Sequence, residues 1–236
     1  MSIALQVALV MVTILVVLLV IGAPIGVAIG MSSAVSMICM IPADVSFATS
    51  AQRIFAGSNS FSLIAIPFFI LAGNIMNNGG IATRLVNCAK VISGRMPGAL
   101  AQSNVVANML FGAISGSGAA AAAAMGGTIG PLEEKEGYDK NYSTAVNVAS
   151  APVGMLIPPS NTMIVYSSVA GSVSIAALFM AGYIPGILWG LACMIVIYVY
   201  AKKRGYTSSK RYALKEKTKI ILEALPCLLM IIIVIG

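Results

Sequence analysis

The chain alternates between long apolar runs and short polar or charged segments. The apolar runs cover residues 3–21, 25–41, 63–76 and 178–201. Most of them are about as long as the ~20 residues that a helix needs to cross a bilayer. An outer-membrane barrel would instead show strands of ~10 residues with alternating polarity. The pattern therefore predicts an all-α integral membrane protein that crosses the lipid bilayer several times.

Composition agrees with this prediction. Of the 236 residues, 59% are hydrophobic and 9% are charged, whereas a soluble domain carries about 25% charged residues. The N-terminal apolar run has no basic segment before it and leads into a second apolar run, so we interpret it as a retained helix and not as a signal peptide. The net charge of +7 does not indicate a nucleic-acid partner, because the basic residues lie at the edges of the apolar runs.

The sequence lacks the residue patterns that would indicate an enzyme. The chain has no histidine, and its four cysteines are scattered without the spacing of a transition-metal site or a disulfide framework. An intramembrane serine protease built on Ser115 or Ser117 would need a nearby base, and no lysine lies in the apolar segments. We therefore expect a protein that is not an enzyme.

The basic residues predict a topology. Thirteen of the fourteen lysines and arginines lie within 78–97, 132–141 and 202–219, and positive charge marks the cytoplasmic side of a membrane. In a bacterial inner membrane the N-terminus is then periplasmic. Spans are expected at 3–21, 24–42 and 61–77, with 43–60 outside and two amphipathic segments, 80–96 and 208–223, on the membrane surface.

Segment 98–131 joins two cytoplasmic segments. It has too few residues for two full crossings, which would need about 40 plus a turn. The segment predicts a re-entrant helical hairpin, whose two short helices enter and leave on the same side. The centre of the segment, Ser115–Gly118, is rich in glycine and serine, so we expect the tip of the hairpin there.

The next apolar segment, 141–171, is also interrupted. Pro158 and Pro159 remove two backbone donors, Gly154 loosens the helix further, and polar side chains follow directly. This pattern predicts a broken transmembrane helix, followed by an intact one over 174–203.

Each interruption alone has an ordinary explanation. The spacing of Gly112 and Gly116 fits close helix packing, and prolines kink many helices. Two polar breaks at similar depth, however, are typical of the midplane binding sites of secondary transporters. Broken helices also line pores, so a channel remains an alternative.

Five stretches resemble the large membrane subunit of tripartite ATP-independent periplasmic (TRAP) transporters, in the order that this family has them. They are IPFFILAGNIMNNGG at 66–80, LFGAISGSG at 110–118, EKEGYD at 134–139, LIPPSNTMIVY at 156–166 and SIAALFMAGYIPGILWG at 174–190.

The resemblance implies an elevator-type fold of the ion-transporter superfamily with two inverted repeats, of which this chain looks like the first. Scaffold helices and a surface arm would occupy 1–97, and a mobile transport domain would contain 98–131 and 141–171. A cytoplasmic arm and the start of another span would occupy 204–236. Implied partners are a small four-helix membrane subunit and a soluble periplasmic substrate-binding protein. If the second repeat were absent from the molecule, the chain would be a non-transporting fragment.

The resemblance also implies a sodium site between the hairpin tip and the broken helix. The expected ligands are the hydroxyls of Ser115 and Ser117 and backbone carbonyls near Gly154, Ile157 and Pro159. Neutral oxygen ligands suit sodium and avoid burying an unpaired carboxylate. The expected lining of the sodium and substrate site is Gly116, Gly118, Pro158, Ser160, Asn161 and Thr162.

The sequence departs from the family at Ala121, where many members have an aspartate. The cargo implied by the resemblance is an organic acid, either a C4-dicarboxylate or a sugar acid, driven by sodium. The neutral, hydroxyl-rich break favours a polyhydroxylated acid such as sialic acid.

Overall fold

The computed structural model describes residues 3–59, 61–94, 96–171, 173–206 and 213–235. Every regular element among them is a helix, which confirms the predicted all-α class. The chain forms two compact units, 1–61 and 62–236. The helices are α1 Ile3–Val20, α2 Ile25–Ile38, α3 Ala43–Ser58, α4 Phe61–Asn78, α5 Ile81–Ser93, α6 Ala99–Ser115, α7 Gly118–Thr128, α8 Gly130–Lys135, α9 Lys140–Ser150, α10 Val153–Leu156, α11 Asn161–Ala170, α12 Ile175–Arg204 and α13 Leu214–Ile235.

The first unit holds α1, α2 and α3. Helix α1 is long and apolar enough to cross a membrane and has no buried residue. Helix α2 has 14 residues, which is about 21 Å at 1.5 Å per residue, so it is shorter than the span predicted at 24–42. Segment 43–60, which we expected only to lie outside, forms α3, and the Ser46 hydroxyl donates to the Ala34 carbonyl of α2 at 2.7 Å.

In the second unit, α12 is the longest described helix, with 30 residues, and is apolar enough to cross a membrane. It begins at the Ser174 cap and ends at Gly205, which adopts the left-handed conformation. Helices α9 to α11 together also meet the length and composition of a span, but they are bent by 51° between Lys140–Leu156 and Asn161–Ala170. Apolar helices of this length indicate an integral membrane protein.

A stripe of glycines lets α12 approach its neighbours closely. A Cβ atom at Gly186 would lie 2.7 Å from Ile157 Cγ1, and one at Gly190 would lie 2.7 Å from Met109 Sδ. Gly182 faces the Leu156 carbonyl in the same way. Small residues at four-residue spacing form one face of a helix, so this face of α12 supports both the hairpin and the broken helix.

Helix α5 has the amphipathic pattern predicted for 80–96, but its apolar face packs against protein. Leu85, Val86 and Ala89 are buried in a cluster with Phe111 and Met125 of the hairpin. The position of α5 relative to the bilayer stays a prediction, and Arg95 lies outside the described residues.

From Leu214 onward, the predicted surface segment 208–223 and the predicted start of another span form one helix. Residues 207–212 lie outside the described residues, and α13 then runs continuously from Leu214 to Ile235. Its buried Ala224 and Cys227 lie on the side that packs against α5. The assignment of 204–236 to a cytoplasmic arm and the start of another span stays a prediction, because a continuous helix is compatible with both.

Candidate functional site

The hairpin tip is a two-residue turn between α6 and α7. Gly116 ends α6 with φ 63° and donates its N–H to the Gly112 carbonyl at 2.8 Å. Glycine is favoured here because other residues adopt this left-handed conformation at a cost. Ser117 begins α7 as its N-cap and accepts a hydrogen bond from the Ala120 N–H at 3.3 Å. The break therefore follows from the Gly-Ser pair itself.

Helices α6 and α7 are each shorter than the hydrocarbon core of a bilayer is thick. Helix α6 has 17 residues and α7 has 11, which correspond to about 26 Å and about 16 Å. The hydrocarbon core is ~30 Å thick.

The broken helix has its own turn at Ile157–Ser160. Its first part ends at Leu156, and Ile157 is extended with φ −83° and ψ 124°. The peptide bond between Pro158 and Pro159 is cis. Ser160, which is fully buried, caps α11 and accepts a hydrogen bond from the Met163 N–H at 3.4 Å.

The tip and the break contact each other directly. The Asn161 N–H donates to the Gly116 carbonyl at 3.3 Å, and Asn161 Nδ2 donates to the Ser115 carbonyl at 3.5 Å. Gly112 and Gly154 bring the two helix backbones together, since a Cβ atom on either would run into the other residue's backbone. The predicted site therefore lies at a real junction between two helix interruptions.

The predicted ligands have unequal access to this junction. Ser115 is 4% exposed, and its hydroxyl interacts locally with the Ser117 carbonyl at 3.3 Å. The Thr162 hydroxyl pairs with Met155 Sδ at 3.8 Å instead of facing the tip. Gly118 packs against the Ala151 carbonyl and Met155.

One buried polar atom at the junction has no partner. Asn161 Oδ1 is enclosed and accepts no hydrogen bond from the described residues, although Nδ2 of the same amide reaches the tip. A buried acceptor without a donor costs about 1–3 kcal/mol. The atom is therefore a natural ligand for a cation or a hydrogen-bond donor.

Sequence reasoning missed the contribution of α4. Ile70, Gly73 and Asn74 line a cavity of about 470 Å³ together with Ser115 and Ser117. The rest of its wall is Phe111, Ala120, Ala123 and Ala124. The only signal in the sequence was Asn74 within an otherwise apolar run.

Ala121, at the position where many family members have an aspartate, is fully buried in the apolar cluster beneath the hairpin. No residue in the wall of the 470 Å³ cavity is charged. Among the described residues, no group of three or more histidine, cysteine, aspartate or glutamate side chains lies close enough to hold a metal ion. The junction itself therefore offers hydroxyl, amide and carbonyl groups.

A buried amide network lies deeper in the hairpin. Asn108 Nδ2 lies 2.9 Å from Asn104 Oδ1, 3.0 Å from Asn147 Oδ1 and 2.8 Å from Ser150 Oγ. Its two N–H groups are shared among these three acceptors. Asn147 Nδ2 in turn donates to the Ala122 carbonyl at 2.8 Å. The network ties both arms of the hairpin to the first part of the broken helix.

Three relatives illustrate how this chain compares with known proteins. It is 53% identical to the uncharacterised protein YgiK of Salmonella typhimurium over 87% of this chain and 47% of that protein. It is 43% identical to the isethionate TRAP transporter permease protein DctMQ of Oleidesulfovibrio alaskensis, over 79% of this chain and 29% of that one. It is 39% identical to the sialic acid TRAP transporter large permease protein SiaM of Vibrio cholerae, over 79% of this chain and 44% of that protein.

The chain thus spans about half or less of the length of these relatives. Residues 12–236 match the family described as the tripartite ATP-independent periplasmic transporter, DctM component. That match covers nearly the whole chain, and the relatives named as TRAP permeases agree with it. The chain therefore belongs to the DctM family of tripartite ATP-independent periplasmic transporters.

Proposed function

We propose that the chain is the membrane-embedded part of a sodium-driven secondary transporter that imports an organic acid. The observation that carries this proposal is the unpartnered Asn161 Oδ1 at the contact of tip and break. A cation at this junction would give that oxygen a partner.

The junction suits a small hard cation. Helix α6 ends at Ser115 and α10 ends at Leu156, and helix C-termini carry partial negative charge and free carbonyl groups. We assign sodium to Ser115 and Ser117, to the carbonyls near Gly154, Ile157 and Pro159, and to Asn161 Oδ1. Hard cations prefer oxygen ligands, and neutral ligands leave no unpaired carboxylate when sodium departs.

The same junction suits an anionic cargo. Helices α7 and α11 begin at Ser117 and Ser160, and helix N-termini favour negative charge. The cavity beside Ser117 has room for a small organic acid, with Asn74 available for hydrogen bonds. Isethionate and sialic acid, which appear in the names of two relatives, each carry one acidic group, so we propose an acid of this class, with a sugar acid favoured over a C4-dicarboxylate.

Membership of the family supports the rest of the proposal. A soluble periplasmic binding protein would deliver the acid, and a small membrane subunit would stabilise the scaffold. The hairpin and the broken helix would move together as a transport domain, because Gly112, Gly154 and the amide network join them.

The test is sodium-dependent uptake by the whole transporter in proteoliposomes, with Asn161→Ala and the matched control Asn141→Ala. Asn141 is exposed at the start of α9. We expect Asn161→Ala to raise the sodium concentration for half-maximal uptake at least about tenfold, which corresponds to ~1.4 kcal/mol, and Asn141→Ala to leave it unchanged.

Uptake that saturates with substrate and requires sodium supports a carrier. Uptake that neither saturates nor depends on sodium would favour the channel alternative. An unchanged sodium requirement in Asn161→Ala would remove this amide from the sodium site.

A further inference from the structure

Glu133 is a buried carboxyl group outside the sodium and substrate site. It lies in α8, in the segment 132–141 that we expect on the cytoplasmic side of the membrane. Its side chain is 0% exposed, and neither Oε1 nor Oε2 makes a hydrogen bond of good geometry with a described residue. A carboxylate without a partner is very unfavourable in such a place, so it neutralises or binds a counter-ion.

The described residues offer Glu133 no positive partner. Lys140 and Glu133 both line a cavity beside α8. The Lys140 ammonium group, however, pairs with Glu134 at 3.8 Å on the exposed surface. Glu136 adds negative charge nearby. The tyrosines Tyr138 and Tyr142, which pack close by, carry no charge at neutral pH. A basic side chain is therefore not what compensates Glu133 within the described part of the chain.

Two polar groups do face the Glu133 carboxyl. Asn104 Nδ2 and Ser143 Oγ are buried and make no hydrogen bond of good geometry with a described residue. Both lie close enough to the Glu133 carboxyl to lower its pKa. Ser143 can donate or accept, whereas an amide Nδ2 only donates.

The direction of the Asn104 amide is fixed by the buried network. Asn147 Nδ2 donates to the Ala122 carbonyl, so Asn147 Oδ1 accepts from Asn108 Nδ2. Asn108 Nδ2 then also donates to Asn104 Oδ1 at 2.9 Å. This leaves Asn104 Nδ2 for Glu133. An N–H group aimed at the carboxyl disfavours a metal ion there. It can donate to the carboxylate and to the protonated acid alike, and in the protonated state Ser143 can accept the acid proton.

We propose that Glu133 is a proton-binding site at the base of the hairpin, which exchanges its proton with the cytoplasm. The carboxylate takes one proton from water and returns it to water, and no other bond changes. A cavity of about 280 Å³, lined mainly by polar residues, provides the route, since its wall includes both Glu133 and the exposed Glu134 and Lys140.

The pKa of Glu133 lies in the pH range in which its charge can change near neutrality. Burial raises the pKa of Glu133 from 4.5 to about 7, and Ser143 and Asn104 oppose the shift only in part. Near neutral pH the group therefore changes charge with small changes in proton concentration. Below pH 7 Glu133 is mainly neutral, and above pH 7 it mainly carries one negative charge.

The experiment measures the proton directly and does not depend on transport. Infrared difference spectra are recorded for the whole protein in lipid nanodiscs across pH 7, for the wild type, Glu133→Gln and the control Glu134→Gln. We expect the carbonyl band of a protonated carboxylic acid to disappear with a midpoint at pH about 7. The band should be absent in Glu133→Gln and retained in Glu134→Gln.

A second measurement needs no variant at Glu133. Wild-type protein labelled with ¹³C at the glutamate side-chain carboxyl should show a carboxyl signal that titrates at pH about 7. The proposal is overturned if all glutamates titrate in the ordinary acidic range, or if the band persists in Glu133→Gln. It is also overturned if sodium at constant pH removes the band, because a metal ion would then occupy the site. A lack of sodium-driven uptake would overturn the proposed function and leave this result intact.

Discussion

Replacing Gly112 by alanine should separate the hairpin from the broken helix. Gly112 lies in the last turn of α6, four residues before the turn at Gly116. A Cβ atom there would lie 3.2 Å from the Gly154 carbonyl carbon and 3.3 Å from the Gly154 nitrogen, and closer still to the Gly154 Cα. These are backbone atoms, so no side-chain rotation relieves the contact, and one helix must move.

The magnitude follows from two opposing effects. Overpacking a tight contact costs about 1–3 kcal/mol, whereas alanine in a helix interior is more favourable than glycine by up to ~1 kcal/mol. The net destabilisation of Gly112→Ala is therefore up to about 2 kcal/mol. The same movement should pull the Ser115 and Gly116 carbonyls away from Asn161 and weaken sodium binding.

Gly127→Ala is the matched control. Gly127 lies in α7 of the same hairpin, and a Cβ atom there would meet nothing within 4 Å. It gains helix propensity without crowding, so we expect stability equal to or slightly above that of the wild type. Thermal unfolding of the whole protein in nanodiscs, with and without sodium, measures both variants.

The outcome that refutes this reasoning is specific. If Gly112→Ala unfolds at the wild-type temperature and is stabilised by sodium to the same extent, the close contact of Gly112 and Gly154 does not position the tip. If Gly127→Ala is destabilised as much as Gly112→Ala, any added methyl group disturbs the hairpin and the argument from contact distance fails.

Two further predictions concern the base of the hairpin. The folded-state pKa of Glu133 is raised from 4.5 to about 7, so its contribution to stability is complete below pH 4.5 and is lost as pH rises through 7. The free energy of unfolding should fall by about 3 kcal/mol over this range. Glu133→Gln should remove this pH dependence of unfolding, whereas Glu134→Gln should keep it. If the unfolding free energy of Glu133→Gln still fell with pH in the same way, the assignment would be contradicted. Asn147→Ala should cost about 1–3 kcal/mol, because it removes two buried hydrogen bonds, one to the Ala122 carbonyl and one from Asn108 Nδ2, each worth about 0.5–1.5 kcal/mol. Exposed Asn141→Ala should cost little. Equal unfolding midpoints of the two variants would argue against the network.

The helix interruptions could be predicted from the sequence because their causes are local. Gly116 supplies a left-handed residue, Ser117 and Ser160 supply N-caps, and the two prolines withhold backbone donors. Each of these residues acts on the backbone within a few positions of itself. The turns therefore lie within the stretches that the sequence indicated, even though the surrounding tertiary structure was unknown.

The environment of an amphipathic helix is not a local property. The apolar side of α5 satisfies the pattern of a membrane-surface helix and of a protein-packed helix equally well, and only contacts with the hairpin and α13 distinguish the two. The glycines of α12 at 182, 186 and 190 had a readable four-residue spacing, but nothing in their own segment identifies Met109 or Ile157 as the neighbours.

The burial of Glu133 could not be predicted from the sequence. It stands in the run Glu-Glu-Lys-Glu over 133–136, and such a run favours a solvated face. Glu134 fits this expectation, because it is exposed and pairs with Lys140 on the surface. Glu133 differs from Glu134 only because one residue along a helix turns the side chain by about 100°, towards Asn104 and Ser143 instead of water. Those two partners come from segments about 30 residues before it and 10 after it in the chain, so the burial that makes this carboxyl a proton site exists only once α6, α8 and α9 have packed together.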